Sequence, residues 1–156
     1  MNLLPAGRGK FLLGLGEGEK SLLTGILRLY PRVTSAQILH GRSDKPPESK
    51  ETQELLEEAL ASQRAENKKT LEAFLADAKR FRKTETGWKL TLTLVEAEWL
   101  LQILNDIRVG SWIRLGSPEN FHDILNEENA GDVGAMEIAG HFQSGLLIAL
   151  SRTRGR

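Results

Sequence analysis

The 156-residue chain contains no cysteine. Without thiols it has no disulfides, thiolate metal sites, iron–sulfur clusters or cysteine nucleophiles. It also lacks an excess of charge of either sign, because 21 basic side chains balance 21 acidic ones. No net electrostatic field therefore draws the chain to nucleic acid, anionic lipid or an acidic substrate.

Long apolar runs are missing as well. No uninterrupted run approaches the roughly 18 residues of a membrane-spanning helix, and the N-terminal stretch has no apolar segment of signal-peptide length. Apolar residues make up 40% of the chain and charged residues 27%, a mixture typical of water-soluble globular proteins. We therefore expect one cytoplasmic domain over residues 1–156, without a membrane partner.

Residues 11–27, FLLGLGEGEKSLLTGIL, have the outline of a phosphate-binding loop. A Walker A loop needs glycine directly before its lysine, so that backbone N–H groups can reach the phosphates. That position holds Glu19, and Glu17 adds a second negative charge. We interpret the stretch instead as a strand-to-helix turn whose glutamates complement the positive end of the helix dipole.

Apolar periodicity predicts a mostly α fold, a compact helical bundle around a central buried helix at 94–115. Three further helices are predicted at 17–30, 51–83 and 132–152, because apolar residues recur there at three-four spacing. A polar stretch, SQRAENKKT, interrupts the apolar stripe of 51–83. The sequence leaves open whether that region forms one helix or two.

Two short strands, at about 11–15 and 88–93, are predicted to pair. The first is a brief apolar run closed by glycine, and the second alternates apolar and polar residues. Residues 41–50 collect Gly, Ser, Asp and two prolines and predict an internal loop. The basic tail, 151–156, is expected to fray.

Four polar residues interrupt the central helix: Asn105, Asp106, Arg108 and Arg114. Charges on so apolar an element are expected to be paired or functional. Either they form an internal network with another helix, in which Arg108 turns back to Asn105, or they line an exposed recognition groove. They are the candidate binding residues, and Gly110 beside them predicts the close approach of a neighbouring segment.

Glu119 and His122 have the Glu-x-x-His spacing that places a carboxylate and an imidazole on one helical face in di-iron bundles. A di-metal site needs this motif twice, and the chain has one copy. Glu137 and His141, at i and i+4, supply a second pair that would suit a mononuclear site. We predict no cofactor and keep a metal-dependent enzyme as an alternative.

The nearest approach to a nucleic-acid motif is DAKRFRKTE, residues 77–85, in which four basic side chains surround Phe81. At a helix C-terminus the same charges compensate the helix dipole. We expect no nucleic-acid partner, and a weak nucleic-acid binder is the second alternative.

The order of strand, glutamate-led helix, Pro/charged linker, AKRFRKTE, strand and LVEAEWLLQILNDIRVGSWIRLG resembles an uncharacterised bacterial family. In many actinobacterial genomes the gene of that family lies beside the gene of the Clp-protease adaptor. The most specific piece of the resemblance is Leu104 to Gly116. The resemblance implies an α-helical fold and a link to regulated proteolysis, and it brings no catalytic residue.

The chain shows no complete catalytic constellation, since no serine lies in a G-x-S-x-G motif and no cysteine is present. We therefore expect a non-enzymatic protein-interaction or accessory module with an unidentified protein partner. The resemblance implies protein quality control as its setting. A monomer and a homodimer are both compatible with the sequence.

Overall fold

The computed structural model describes residues 2–5, 9–34, 49–120 and 125–154. Their elements, in chain order, are β1 (Asn2–Pro5), β2 (Lys10–Gly16), α1 (Glu17–Leu27), α2 (Lys50–Ala76), β3 (Phe81–Lys83), β4 (Gly87–Thr93), α3 (Leu94–Arg114) and α4 (Ala130–Arg154). Helices dominate these ranges, so the predicted mostly α fold is confirmed.

The strands form one antiparallel sheet in the order β1-β2-β4-β3. The predicted pairing of the two central strands is confirmed, with Leu13 opposite Leu90 and Leu15 opposite Trp88. Two edge strands, β1 and β3, were not predicted. They are short, and neither shows the alternation of apolar and polar residues by which β4 is recognised.

Helix α2 is one continuous helix, which answers the question that the polar interruption left open. The prediction that it extends to Lys83 was wrong, because the helix ends at Ala76 and the backbone at Asp77 is extended. Phe81 then lies in β3 opposite Leu90, with its ring edge-on to Phe74 at 6.3 Å between centroids. Sheet pairing and this ring contact outweigh the helix propensity of the segment.

The central helix α3 begins with a capping box, whose Thr-x-x-Glu spacing is present in the sequence. The Thr93 hydroxyl accepts from the Glu96 N–H at 3.1 Å, and the Glu96 carboxylate accepts from the Thr93 N–H at 3.0 Å. Its fully buried side chains share one core with leucines from β2 and β4 and with residues of α1 and α4. The apolar stripe of α3 therefore forms the middle of the fold.

Gly110 marks the close approach that the sequence predicts. A Cβ atom at this position would lie 2.9 Å from Cβ of Arg32, in the segment that follows α1. Only glycine at position 110 leaves room for that segment to cross α3 there.

Helix α4 packs along α3 and contributes Ala139, Phe142 and Leu146 to the core. It continues to Arg154, so the start of the predicted frayed tail is helical. By length and composition Ala130–Arg152 would also pass as a membrane span, with 39% of its most apolar stretch buried inside the protein. Of the predicted loop, 41–48 lies outside the described residues.

Candidate functional site

Asn105 and Arg108 meet as predicted and join a third residue from α4. The Arg108 guanidinium donates from Nη2 to Asn105 Oδ1 at 3.0 Å and from Nε to Gln143 Oε1 at 3.1 Å. The Gln143 amide in turn donates to Asn105 Oδ1 at 3.3 Å. Two neutral side chains thus hold an exposed cation in place across the α3–α4 seam.

The charge of Arg108 has no carboxylate partner in the part of the chain that the structure describes. Two of its five N–H donors are used by the amides, and the other three have no hydrogen-bond partner among the described residues. Since the side chain is exposed, water solvates the guanidinium at little cost. An arriving carboxylate would find a guanidinium already oriented by its neighbours.

An apolar groove of about 380 Å³ opens beside this cation, lined by Arg108, Val109, Trp112 and Met136. The indole N–H of Trp112 donates to the carbonyl of Pro118 at 2.9 Å, which fixes the ring. A tryptophan and a methionine offer a wide and adaptable apolar contact surface. The groove and the cation together form the most distinctive candidate site in the described residues; we call them the Arg108 groove.

Arg114 belongs to a separate ion-pair cluster that connects three segments of the chain. Asp132, in the first turn of α4, accepts from Arg114 Nε at 2.8 Å and also pairs with Arg32. Arg114 Nη1 reaches the carbonyl of Arg32 at 3.5 Å. One carboxylate therefore ties the segment after α1, the end of α3 and the start of α4 together.

Asp106, the remaining candidate binding residue of α3, is partly buried. Arg80 forms its ion pairs at the start of α3 instead: it pairs with Glu96 and lies 3.7 Å from Asp77. The guanidinium of Arg80 also stacks over the Phe74 ring at 4.7 Å. Arg80 thus fastens the end of α2 to the start of α3, and of the four basic residues at 79–83 it is the most buried.

The residues of the metal alternative do not form a cluster in the described ranges. Glu119, Glu137 and His141 are exposed, and His122 lies outside the described residues. His141 Nε2 is 3.8 Å from Glu19 Oε2 of α1. Among the described side chains no group of three or more His, Asp or Glu residues is placed to hold a metal ion.

The glycine-rich stretch forms the strand-to-helix turn that we expected. Glu19 Oε1 accepts from the Gly16 N–H at 3.0 Å and so occupies a backbone donor at the helix start. Lys20 does not face the turn, because its Nζ lies 3.6 Å from the centroid of a Trp88 ring. The sheet beneath is antiparallel, whereas phosphate-binding loops sit on parallel sheets.

Sequence reasoning missed Gln143 and Asp132, which hold the two arginines of α3. Asp132 carries a local signal, an acid in the first turn of a helix. Gln143 carries none, because its role depends on how α4 is placed along α3.

We compared the chain with protein-family models, with curated proteins and with solved structures, and found no match.

Proposed function

We propose that this protein is a non-enzymatic protein-interaction module that binds peptide segments in the Arg108 groove. The observation that supports this most is the exposed, oriented cation of Arg108 beside the Trp112 ring, without a carboxylate partner among the described residues. The ligand that fits has a carboxylate next to an apolar side chain. The family resemblance makes regulated proteolysis the cellular setting that we propose.

The chemistry of recognition follows from the two parts of the site. Arg108 would supply charge-assisted hydrogen bonds to the carboxylate of the ligand. Val109, Trp112 and Met136 would take up the adjoining apolar side chain and exclude water around it. Because Asn105 and Gln143 hold the guanidinium, little side-chain freedom is lost on binding.

A peptide array tests the proposal. Peptides in which Leu, Ile or Phe adjoins Asp or Glu are paired with copies in which each acid is replaced by its amide. Wild-type protein should bind the acidic members and not their amide copies, and Trp112 should report binding through its fluorescence.

Arg108→Gln should abolish that binding without changing the melting temperature, because the side chain is exposed. The matched control is Arg152→Gln, an exposed arginine on α4, which should bind as the wild type does. Equal binding of acidic and amide peptides, or unchanged binding by Arg108→Gln, would contradict the proposal.

The metal-dependent alternative has less support, since Glu137 and His141 are exposed and His141 lies nearest to Glu19. It remains testable by elemental analysis of protein purified without a histidine tag. Stoichiometric zinc, iron or manganese that is lost in His141→Ala would favour it over the interaction module.

A further inference from the structure

The first half of helix α2, residues 50–63, packs little against the other described residues. No side chain in it is buried, and Leu55 and Leu56 are 67% and 52% exposed. The second half, 64–76, is anchored by Arg64, Leu71 and Phe74, which are all buried. We call residues 50–63 the free half of α2. At about 1.5 Å per residue it is roughly 20 Å long.

The free half is acidic as well as apolar. It holds four glutamates and one lysine. Glu51 and Glu58 stand four residues before and three residues after Leu55, so they flank that leucine on one helical face. Neither carboxylate has a basic partner in the described residues. This face is therefore a ridge with exposed leucines and unpaired negative charge.

A second, partly exposed surface lies on the far side of the sheet. Leu13, Leu15, Leu90 and Leu92 are buried and point to the helices. Residues between them point the opposite way, because successive side chains alternate between the two faces of a sheet. Strand register puts Lys89 between Gly14 and Arg82, and Leu12 between Leu4 and Thr91. We call this surface, which also includes Lys10, the outer face.

The outer face combines basic and apolar side chains. Leu4, on the edge strand β1, is 46% exposed. Lys10, Arg82 and Lys89 have no ion-pair partner among the described residues. A hollow of about 570 Å³ opens beside Gly14, where β2 carries no side chain. The acid that lines this hollow, Glu19, is held by the Gly16 N–H.

We propose that the free half of α2 in one copy of this chain docks on the outer face of a second copy. The two surfaces are complementary in charge, since unpaired glutamates meet unpaired lysine and arginine, and both bring exposed leucines. Leu55 and Leu56 would cover Leu4 and Leu12 and enter the hollow. Two copies can exchange this contact reciprocally, which gives a closed dimer.

A nucleic acid is a less suitable occupant of the outer face, although it too is anionic. Single strands bind through aromatic side chains on which bases stack. Phe11 and Phe81 lie in register with the buried leucines and so share the inner face. Trp88 also lines the hollow, but Lys20 Nζ lies over its ring at 3.6 Å from the centroid. The outer face instead presents leucines, which suit an amphipathic helix.

Charge reversal in two variants tests the proposal by sedimentation velocity. One variant, Arg82→Glu/Lys89→Glu, makes the outer face acidic; the other, Glu51→Lys/Glu58→Lys, makes the free half basic. Wild type should dimerise with rising concentration and dissociate as salt is added. Each variant alone should self-associate at least about tenfold more weakly, because like charges then face each other.

An equimolar mixture of the two variants should recover a dimer. In the mixed pair a basic helix meets an acidic face, and an unchanged helix meets an unchanged face. Two controls accompany it. Glu127→Lys/Glu128→Lys reverses two exposed acids elsewhere, and Val95→Ser removes a 74% exposed apolar residue at the start of α3. Both should dimerise like wild type, whereas Leu55→Ser/Leu56→Ser should not.

Three results would overturn the proposal: a wild type that stays monomeric at every concentration, a mixture that does not recover the dimer, or controls that weaken association as much as the reversals do. Loss of RNA binding at low salt by the face variant, with self-association intact, would assign the outer face to nucleic acid instead. None of these residues lines the Arg108 groove, so peptide binding there is tested separately.

Discussion

The two halves of helix α2 are built from similar helix-forming residues but have opposite surroundings. In the second half, Asn67 accepts from the Trp99 indole N–H and donates to the Tyr30 hydroxyl, both at 3.3 Å. Phe74 lies 5.7 Å from the Trp99 ring. In the first half, Leu55 and Leu56 face solvent. Helix propensity is shared by both halves, and tertiary packing by only one.

The comparison teaches that an apolar stripe does not by itself define a core. The stripe of α2 runs from Leu55 to Leu75, yet only its second part joins the core cluster of buried residues. Adjacent exposed leucines, such as Leu55 and Leu56, form an apolar patch of the kind that marks a protein-interaction surface. The predictions that follow test this division, beginning with the largest expected effect.

Phe74→Ala should lower the free energy of unfolding by about 3–5 kcal/mol, because it removes a buried ring from contact with Phe81 and Trp99. Urea denaturation followed by circular dichroism measures the change. A loss below about 1 kcal/mol would mean that α2 does not fasten the core.

Asn67→Ala should cost about 1–3 kcal/mol, since the Trp99 N–H and the Tyr30 hydroxyl each lose a hydrogen-bond partner. Tyr30 is nearly fully buried, so its hydroxyl has little access to replacement water. Thermal unfolding monitored by calorimetry gives the loss. Unchanged stability would show that these two bonds contribute nothing.

Ala73→Gly and Ala61→Gly form a matched pair, because both alanines are exposed on α2 and lie in different halves. The first should lower global stability by about 1 kcal/mol through helix propensity. The second should leave the unfolding midpoint almost unchanged and lower the helical signal, because the free half can unfold locally. Equal shifts in the two midpoints would remove the distinction between the halves.

Leu55→Ala should have the smallest effect, within about 0.5 kcal/mol of wild type at concentrations where the protein is monomeric. The side chain is 67% exposed and leaves no cavity. Denaturation at low concentration is the measurement. A loss close to that of Phe74→Ala would place Leu55 in a core of its own chain.

Local signals in the sequence predicted much of the fold. The alternation of 88–93, the capping box at Thr93 and Glu96, and the periodicity of α3 and α4 each depend on neighbours within one element. The end of α2 could not be predicted in this way. Phe81 joins the sheet because it pairs with Leu90 of β4. The local sequence of residues 77–83 carries no signal for that long-range contact.

The contacts of the candidate site were also predictable only where they depend on neighbours within one helix. The contact of Arg108 with Asn105 follows from helical spacing and was predicted. The contact with Gln143 requires knowledge of how α4 lies along α3, and so does the groove that Met136 completes. The bridging role of Asp132 between Arg32 and Arg114 likewise joins three segments that are distant in sequence.

Hydrogen–deuterium exchange along α2, measured over a dilution series, tests most directly the claim that its free half docks on a second copy of the chain. Amides of 64–76 should be protected at every concentration. Amides of 50–63 should exchange rapidly in dilute protein and become protected as concentration rises, in step with the dimer seen by sedimentation. Protection of 50–63 at all concentrations, or at none, would contradict the account.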